Sequence, residues 1–433
     1  MYTTIFQTII AWGFYLLFFI VPLIFTSKNS ELFEFNKMVT TYAFTVIIIG
    51  AWLCKMIAAK KIIYKRTFLE IPLFLYLASH VLSTIFSIDT RTSIFGYYSR
   101  FHEGLLATIC YLLLYFAAVS NLNSENVKKI FYWSFAAGII VAVWGIFEHY
   151  GHSLSCLLIE PYNKFDVGCW VQDVKNRVYA TLGQPNWMAA YLDILILAGF
   201  AFLTKYKKLF AVLFFIALLF TKSRSGVIGL IIGLGIYFVL NIKNFKLFFV
   251  TCILFLVTSV VFGLPLPKID GLSLENYFSK PSTTNSELRT MNSNGYIDIG
   301  ISTSSDIRKV VWDGAIKVWQ RYPVFGSGVE TFAYSYYKDR PAAHNMLSEW
   351  DFLYNKAHNE VLNLLATTGT VGILTYFLVI ASAAKQSYKN PALFGAYITI
   401  LVTNFFGFSV VIIGLYFFLI PAFSFILSKP NEN

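Results

Sequence analysis

Residues 410–427 read VVIIGLYFFLIPAFSFIL, a stretch without a single charged side chain. An α-helix of this length spans about 27 Å, close to the ~30 Å hydrocarbon core of a bilayer. Lipid offers the backbone no hydrogen-bond partners, so a segment that enters it as a single span has to be helical. The stretch therefore predicts a transmembrane helix.

Eleven other apolar segments repeat this pattern along the chain. They run roughly over 5–25, 38–57, 68–86, 104–120, 131–149, 186–203, 209–221, 226–240, 246–263, 359–381 and 391–407. Of the 433 residues, 57% are hydrophobic and 13% are charged, whereas a soluble protein carries about 25% charged residues. We predict an all-α polytopic membrane protein with about twelve transmembrane helices.

The basic residues predict the orientation of these helices. With the N-terminus inside, the inner loops hold fifteen Lys and Arg residues against three acidic ones, and the other side holds nineteen against twenty. Cytoplasmic loops carry such an excess of Lys and Arg. Both termini are therefore expected in the cytoplasm. The net charge of +11 then reflects membrane topology, and no nucleic-acid partner is expected.

One long hydrophilic segment interrupts the spans, and the orientation places it outside. We divide the chain into membrane helices one to nine (1–263), a large extracytoplasmic loop (264–357) and membrane helices ten to twelve (358–433). The loop segment 282–305 is rich in Ser, Thr and Asn and is expected to be flexible.

The second part of this loop is expected to contain short helices. Apolar residues recur there at helical spacing, and Pro323 should end the helix that they form. The residues are Ile307, Val311, Ala315 and Val318. Upstream, Cys156 and Cys169 share another outer loop. A disulfide suits that compartment, and two free thiols remain an open alternative.

Polar residues gather where the even-numbered spans begin, at the outer surface. A helix N-terminus offers unpaired N–H groups and a partial positive charge, and an arginine fork binds phosphate oxygens in pairs. Together they predict a diphosphate site. The alternative for any single interfacial arginine is that it only reaches toward lipid headgroups. The residues are Arg100 and His102 before span four, Arg177 and Asn186 at span six, Arg224 at span eight, and His358 and Asn359 at span ten.

His358 is the candidate proton acceptor, because histidine is the usual base near neutral pH. A hydrogen-bonded interfacial histidine is the alternative. The tripeptide Ala-His-Asn also occurs at 343–345, but only His358 is followed directly by a span.

Several other chemistries lack their sequence signals. The chain contains no CxxC, HExxH, GxSxG or P-loop motif and no Asp-x-Asp in the predicted outer loops, so we expect neither a metal nor a cofactor. Glu31 and Glu34 form the one close acidic pair near an outer span end. Asp193, inside span six, is a functional candidate because intramembrane carboxylates are costly.

Several of these stretches resemble the O-antigen ligase and polymerase superfamily over roughly residues 90–382. The resemblance rests on Phe95-Gly96 with Arg100, on Gly183-Gln184-Pro185-Asn186, on Ser223-Arg224-Ser225-Gly226, on Arg308 with Trp312 and Tyr322-Pro323-Val324-Phe325-Gly326-Ser327-Gly328, and on His358-Asn359-Glu360-Val361-Leu362 with Gly369 and Gly372.

The resemblance implies a metal-independent, inverting transfer of a glycan from undecaprenyl diphosphate at the outer face of a bacterial cytoplasmic membrane. Arg224 and Arg308 would bind the diphosphate and His358 would activate the acceptor, which is lipid A core, a growing glycan, a wall polymer or a protein. Arg308 enters through the resemblance alone. The secondary candidates are Arg100, Arg177, Asn186 and Asn359.

Two alternatives stay open at this point. A transporter or flippase commonly has twelve spans, but the chain shows no visible repeat of the kind that transporters carry. A membrane glycosyltransferase fed by a lipid-monophosphate sugar usually has an acidic residue in its first outer loop, where Glu31 and Glu34 lie.

The charge alternation makes a direct prediction about topology. A cysteine introduced at Asn285 should react with an impermeant reagent in intact cells, whereas cysteines at Lys61 and Lys207 should react only after permeabilisation. Protection of position 285 in intact cells would contradict the whole arrangement.

Overall fold

The computed structural model describes residues 2–29, 31–203, 206–242, 245–265, 302 and 304–428. Within these residues the chain forms 16 α-helices and no strand. They are α1 (Tyr2–Ile20), α2 (Glu34–Ala59), α3 (Glu70–Ile85), α4 (Thr90–Phe95), α5 (Leu105–Asn121), α6 (Ser124–His149), α7 (Leu154–Leu158), α8 (Pro185–Phe202), α9 (Lys207–Phe220), α10 (Arg224–Leu240), α11 (Phe245–Phe262), α12 (Ser304–Arg321), α13 (Phe332–Asp339), α14 (Glu360–Ser387), α15 (Pro391–Phe405) and α16 (Val411–Ser428).

Each of the twelve predicted apolar segments forms a helix, which confirms the all-α fold. Among the described residues, six helices are long and apolar enough to cross a membrane, namely α1, α2, α6, α8, α14 and α16. Six others are apolar but shorter, namely α3, α5, α9, α10, α11 and α15. The chain is therefore a multi-pass membrane protein, and the count of twelve crossings, the side of each loop and the domain boundaries stay predictions.

The apolar stretch 410–427, which forms α16, lies at the centre of the bundle. In α16, 83% of the residues are buried, and in α8 the figure is 78%, against 22% in the most apolar part of α2. A helix that is apolar all round is stable only when other helices or lipid surround it. Here α16 is enclosed by α5, α6, α14 and α15, and Phe18 of α1 packs edge-on against Tyr416 with ring centroids 5.0 Å apart.

Three helices that lead into the candidate site begin with a proline or a side-chain cap that favours a helix N-terminus. Pro185 occupies the first turn of α8, where its missing N–H costs nothing. The Ser223 hydroxyl accepts a hydrogen bond from the Gly226 N–H of α10 at 3.2 Å. The Asn359 side chain accepts one from the Leu362 N–H of α14 at 3.0 Å. Such caps fix where each helix starts.

The second part of the large loop is folded, as the spacing predicts. Helix α12 buries Ile307, Val311, Ala315 and Val318, and α13 packs on it. The segment 282–305 lies mostly outside the described residues, so its flexibility stays a prediction. Cys156 and Cys169 form a disulfide.

A glycine crossing joins this loop to α14. Gly326 and Gly369 meet with φ values of +72° and +68°, and a Cβ on Gly369 would lie 2.4 Å from the Val324 carbonyl oxygen. Two backbone hydrogen bonds close the contact, from the Gly328 N–H to the Thr367 oxygen at 2.9 Å and from the Thr370 N–H to the Pro323 oxygen at 2.9 Å. The crossing therefore holds the loop directly against the bundle.

Gly369→Ala should lower the free energy of unfolding by about 3 kcal/mol or more, because it combines an unfavourable φ with a backbone clash. Thermal unfolding in detergent measures the effect. Gly235→Ala is the matched control, since a Cβ there meets nothing within 4 Å. Equal stability of the two variants would contradict the tight crossing.

Candidate functional site

Arg177 lies within electrostatic range of two other predicted arginines, Arg224 and Arg308. Partial burial and then the Arg224 cation lower the pKa of Arg177, and burial and then Arg177 lower the pKa of Arg308. Arg224 is the first residue of α10 and is exposed. The Arg177 Nε donates to the Thr221 carbonyl oxygen at 3.4 Å, just before that helix. Arg177 thus interacts electrostatically with both arginines that the family resemblance assigns to the diphosphate.

Arg100 approaches the same region from the segment between α4 and α5. Its guanidinium lies over the rings of Trp187 and Phe408, 5.5 and 5.7 Å from their centroids. Its Nη1 is buried and has no hydrogen-bond partner among the described residues. A buried charged donor without a partner is unfavourable, so this atom is a natural contact for an anionic ligand.

His358 lines a pocket together with Gln184, Asn186, Trp187 and Phe408. Its ring packs edge-on against Phe408 at 5.4 Å and Tyr354 at 5.8 Å. Burial, followed by the cations of Arg308 and Arg100, lowers its pKa to about 4. The imidazole is therefore neutral at physiological pH and has a lone pair that can accept a proton.

The two candidate asparagines differ in their surroundings. Asn186 lines the His358 pocket, and its Oδ1 accepts a hydrogen bond from the Ser223 hydroxyl at 2.9 Å. This bond ties the start of α8 to the start of α10, next to Arg224. Asn359 is buried, and its Oδ1 caps α14. It therefore affects the site by ordering the backbone at the start of that helix.

The histidine of the second Ala-His-Asn, His344, is hydrogen-bonded within the loop. His344 is fully buried. Its Nδ1 lies 2.8 Å from the Tyr336 hydroxyl and its Nε2 lies 3.2 Å from the Glu349 carbonyl oxygen. Both ring nitrogens are occupied within the loop's own core, whereas His358 faces the pocket beside the arginines.

The acidic residues singled out in the sequence have different settings. The Glu31 carboxylate accepts a hydrogen bond from the Phe35 N–H at 2.7 Å, and the buried Glu34 accepts one from the Val411 N–H at 2.8 Å. Both carboxylates thus order helix ends. This role weakens the alternative in which they act in a glycosyltransferase fed by a lipid-monophosphate sugar. Asp193 is fully buried in α8, and neither of its oxygens has a partner among the described residues.

The sequence analysis missed a buried charged cluster beside the pocket. Lys356 is ion-paired with Glu103 and with Glu330, and its Nζ lies 5.9 Å from the centroid of the Phe408 ring. These residues come from three distant segments without periodicity, and no motif connects them. The position of Lys356, two residues before the candidate base His358, was a sequence signal that could have drawn attention to the cluster.

His358 and Asn186 line the pocket, and Arg100 lies over the Trp187 and Phe408 rings of its wall. Arg308 acts electrostatically on His358, Arg177 acts on Arg308, and Arg224 acts on Arg177. Four guanidiniums can bind a multiply charged anion, and the imidazole can take a proton from a hydroxyl held beside it. The site therefore suits the displacement of an anionic leaving group by a hydroxyl.

Comparison with known protein families gives a match over part of the chain. Residues 209–377 match the family described as O-Antigen ligase. The matched segment runs from α9 into α14 and contains Arg224, Arg308 and His358, whereas Arg100, Arg177 and Asn186 lie before it. No curated protein matches the chain significantly.

The lowered pKa of His358 can be measured directly. Spectra of isotope-labelled histidine in the purified protein should contain a signal that titrates near pH 4 and disappears in His358→Asn. Arg308→Met should raise this pKa toward the ordinary value of about 6.5, because it removes a neighbouring cation. Arg321→Met, on the same helix but paired with Asp339, is the control and should not. Titration of His358 near 6.5 in the unaltered protein would contradict the geometry.

Proposed function

We propose that this chain, whose residues 209–377 match the family described as O-Antigen ligase, transfers a glycan from a polyprenyl-diphosphate carrier to an acceptor hydroxyl. The match supports a membrane glycan transferase of the ligase or polymerase type. The observation that carries the finer proposal is the electrostatic action of Arg308 and Arg100 on the His358 imidazole at the pocket, with Arg177 acting in turn on Arg308.

The arginines act on the leaving group. When the glycosidic bond to the diphosphate breaks, negative charge grows on the departing oxygen. Cations already in place stabilise that charge, and loss of one such donor typically costs about 3–4 kcal/mol of the barrier. Arg224 and Arg308 hold the diphosphate, with Arg177 in electrostatic range of both and Arg100 at the pocket wall. Their fixed charges supply what a metal ion supplies in other transferases, so the transfer is metal-independent.

His358 acts on the acceptor. The acceptor oxygen forms a bond to the anomeric carbon while the bond from that carbon to the diphosphate oxygen breaks. The diphosphate leaves with the electron pair, and the hydroxyl proton passes to the neutral imidazole. A single displacement of this kind inverts the anomeric configuration. No cofactor takes part in these steps.

The setting follows from the membrane topology proposed above. The site lies at the outer face of a bacterial cytoplasmic membrane, with both termini inside, and the partners are the lipid-linked donor, the bilayer and the acceptor. Lipid A core, a growing glycan, a wall polymer and a protein each offer a suitable hydroxyl. Reconstitution with each acceptor in turn separates a ligase from a polymerase or a protein glycosyltransferase.

Replacing Arg224 or Arg308 by lysine should reduce transfer at least tenfold, because lysine keeps the charge but loses the paired donors. His358→Ala should nearly abolish transfer while the donor still binds. Purified protein, a lipid-diphosphate donor and excess EDTA provide the assay, with variants compared at equal protein concentration.

Arg340→Lys is the matched arginine control, because Arg340 bonds Asn345 and the Trp350 carbonyl oxygen within the loop. His152→Ala is the histidine control, since His152 is exposed and its Nδ1 contacts the Phe165 carbonyl oxygen. Full activity of the Arg224, Arg308 and His358 variants would refute the proposed roles. Loss of transfer in EDTA with recovery on adding magnesium or manganese would refute the metal-independent mechanism.

A further inference from the structure

Lys356 is the most deeply buried lysine near the candidate site. Only 1% of the residue is exposed, and its ammonium contacts the carboxylates of Glu103 and Glu330. Burial alone would lower the pKa of Lys356, but the carboxylates of Glu103 and Glu330, followed by that of Glu360, raise it above its ordinary value. The carboxylates therefore favour the charged form of the buried side chain.

The three residues come from three separate segments. Glu103 lies between α4 and α5, Glu330 lies in the turn between α12 and α13, and Lys356 precedes α14. The backbone is left-handed at Glu103 (φ 60°), at Glu330 (φ 61°) and at His358 (φ 52°). Residues with a side chain rarely adopt this conformation, and it persists only where surrounding contacts enforce it. The ion pairs are such contacts.

Each of these segments carries a part of the candidate site. Arg100 lies three residues before Glu103, and His358 lies two residues after Lys356. The Glu330 turn continues from the Gly326 crossing, which anchors α12 and with it Arg308. The Phe408 ring links them further, since it contacts His358 and lies beneath both the Arg100 and the Lys356 cations.

The same turn is also hydrogen-bonded to the segment between α3 and α4. The Ser93 hydroxyl donates to the Val329 carbonyl oxygen at 2.8 Å, and the Ile88 N–H donates to the Ser327 carbonyl oxygen at 2.9 Å. These bonds fix the position of the turn backbone, but they do not reach Lys356 or His358. The Lys356 ammonium adds ion pairs that join the turn, through Glu330, and the Arg100 segment, through Glu103, to the residues just before His358.

We infer that Lys356 is a positioning residue, which holds the Arg100 segment, the Glu330 turn and His358 in one arrangement without touching the substrate. This inference rests on the proposed function where kinetics test it, and on the structure alone where hydrogen exchange tests it. A purely charge-balancing lysine would need only to neutralise the two carboxylates. A positioning lysine must also bridge them.

Two variants separate these roles. Lys356→Met leaves two buried carboxylates without their cation and should strongly destabilise the protein. The triple variant Lys356→Met/Glu103→Gln/Glu330→Gln removes all three charges at nearly constant volume. It should recover most of the thermal stability, yet it has no ammonium to bridge the segments. Lys317→Met, which breaks the exposed pair with Asp313, is the control.

Hydrogen exchange and steady-state kinetics are then measured on the full-length protein in detergent. In the triple variant, amides in 97–104 and 326–331 should exchange at least tenfold faster than in the unaltered protein. The kcat should fall at least tenfold, while KM for the lipid-diphosphate donor changes less than threefold. The Lys317→Met control should match the unaltered protein in all three measurements.

Unaltered exchange in the triple variant, or full recovery of kcat, would show that Lys356 only balances charge and would overturn the inference. Faster exchange in the triple variant of a protein that proves to have no transfer activity would instead refute the proposed function and leave the positioning role intact.

Discussion

Mutual repulsion between cations is the constraint on which the candidate site depends. Arg177 lowers the pKa of Arg308, and Arg308 lowers the pKa of His358. Arg100 has one buried nitrogen that finds no hydrogen-bond partner in the part of the chain that the structure describes. Like charges in a partly dry pocket separate unless the surrounding fold prevents it. The fold therefore has to hold these side chains against their own electrostatics, in an arrangement that only an anion satisfies.

The fold provides this through contacts that surround the pocket. Asn186 and Ser223 tie the starts of α8 and α10 together. The crossing of Gly326 and Gly369 fixes the loop to α14, and Lys356 draws two further segments toward His358. Each contact lies close in the chain to one of the charged residues. The same preorganisation that costs stability in the empty protein lowers the barrier when charge develops on a leaving diphosphate.

The cations also determine the state of the histidine. A free imidazole is half-protonated near pH 6.5, whereas burial and the two arginines keep His358 unprotonated down to about pH 4. Binding of an anion between these arginines would relieve their effect and raise the affinity of His358 for a proton. Donor binding would thus strengthen the base at the moment when the acceptor hydroxyl has to lose its proton.

Much of this organisation could be predicted from the sequence. The apolar segments located every long helix, because a bilayer selects strongly for length and composition, and the spacing of Ile307, Val311 and Val318 predicted the buried face of α12. The Lys356 cluster could not be predicted, because its partners are separated by up to 253 residues and share no pattern. The different roles of His344 and His358 likewise depend on tertiary surroundings that identical tripeptides do not reveal.

The central claim is that the arginine cluster beside His358 binds the diphosphate of the donor. A structure of the protein with a non-transferable lipid-diphosphate glycan tests it most directly. The account predicts both phosphates within hydrogen-bond distance of the Arg308 guanidinium and of at least one of Arg177 and Arg224, with the anomeric carbon facing His358. A diphosphate bound at the opposite end of the bundle, or density for the glycan away from His358, would contradict it.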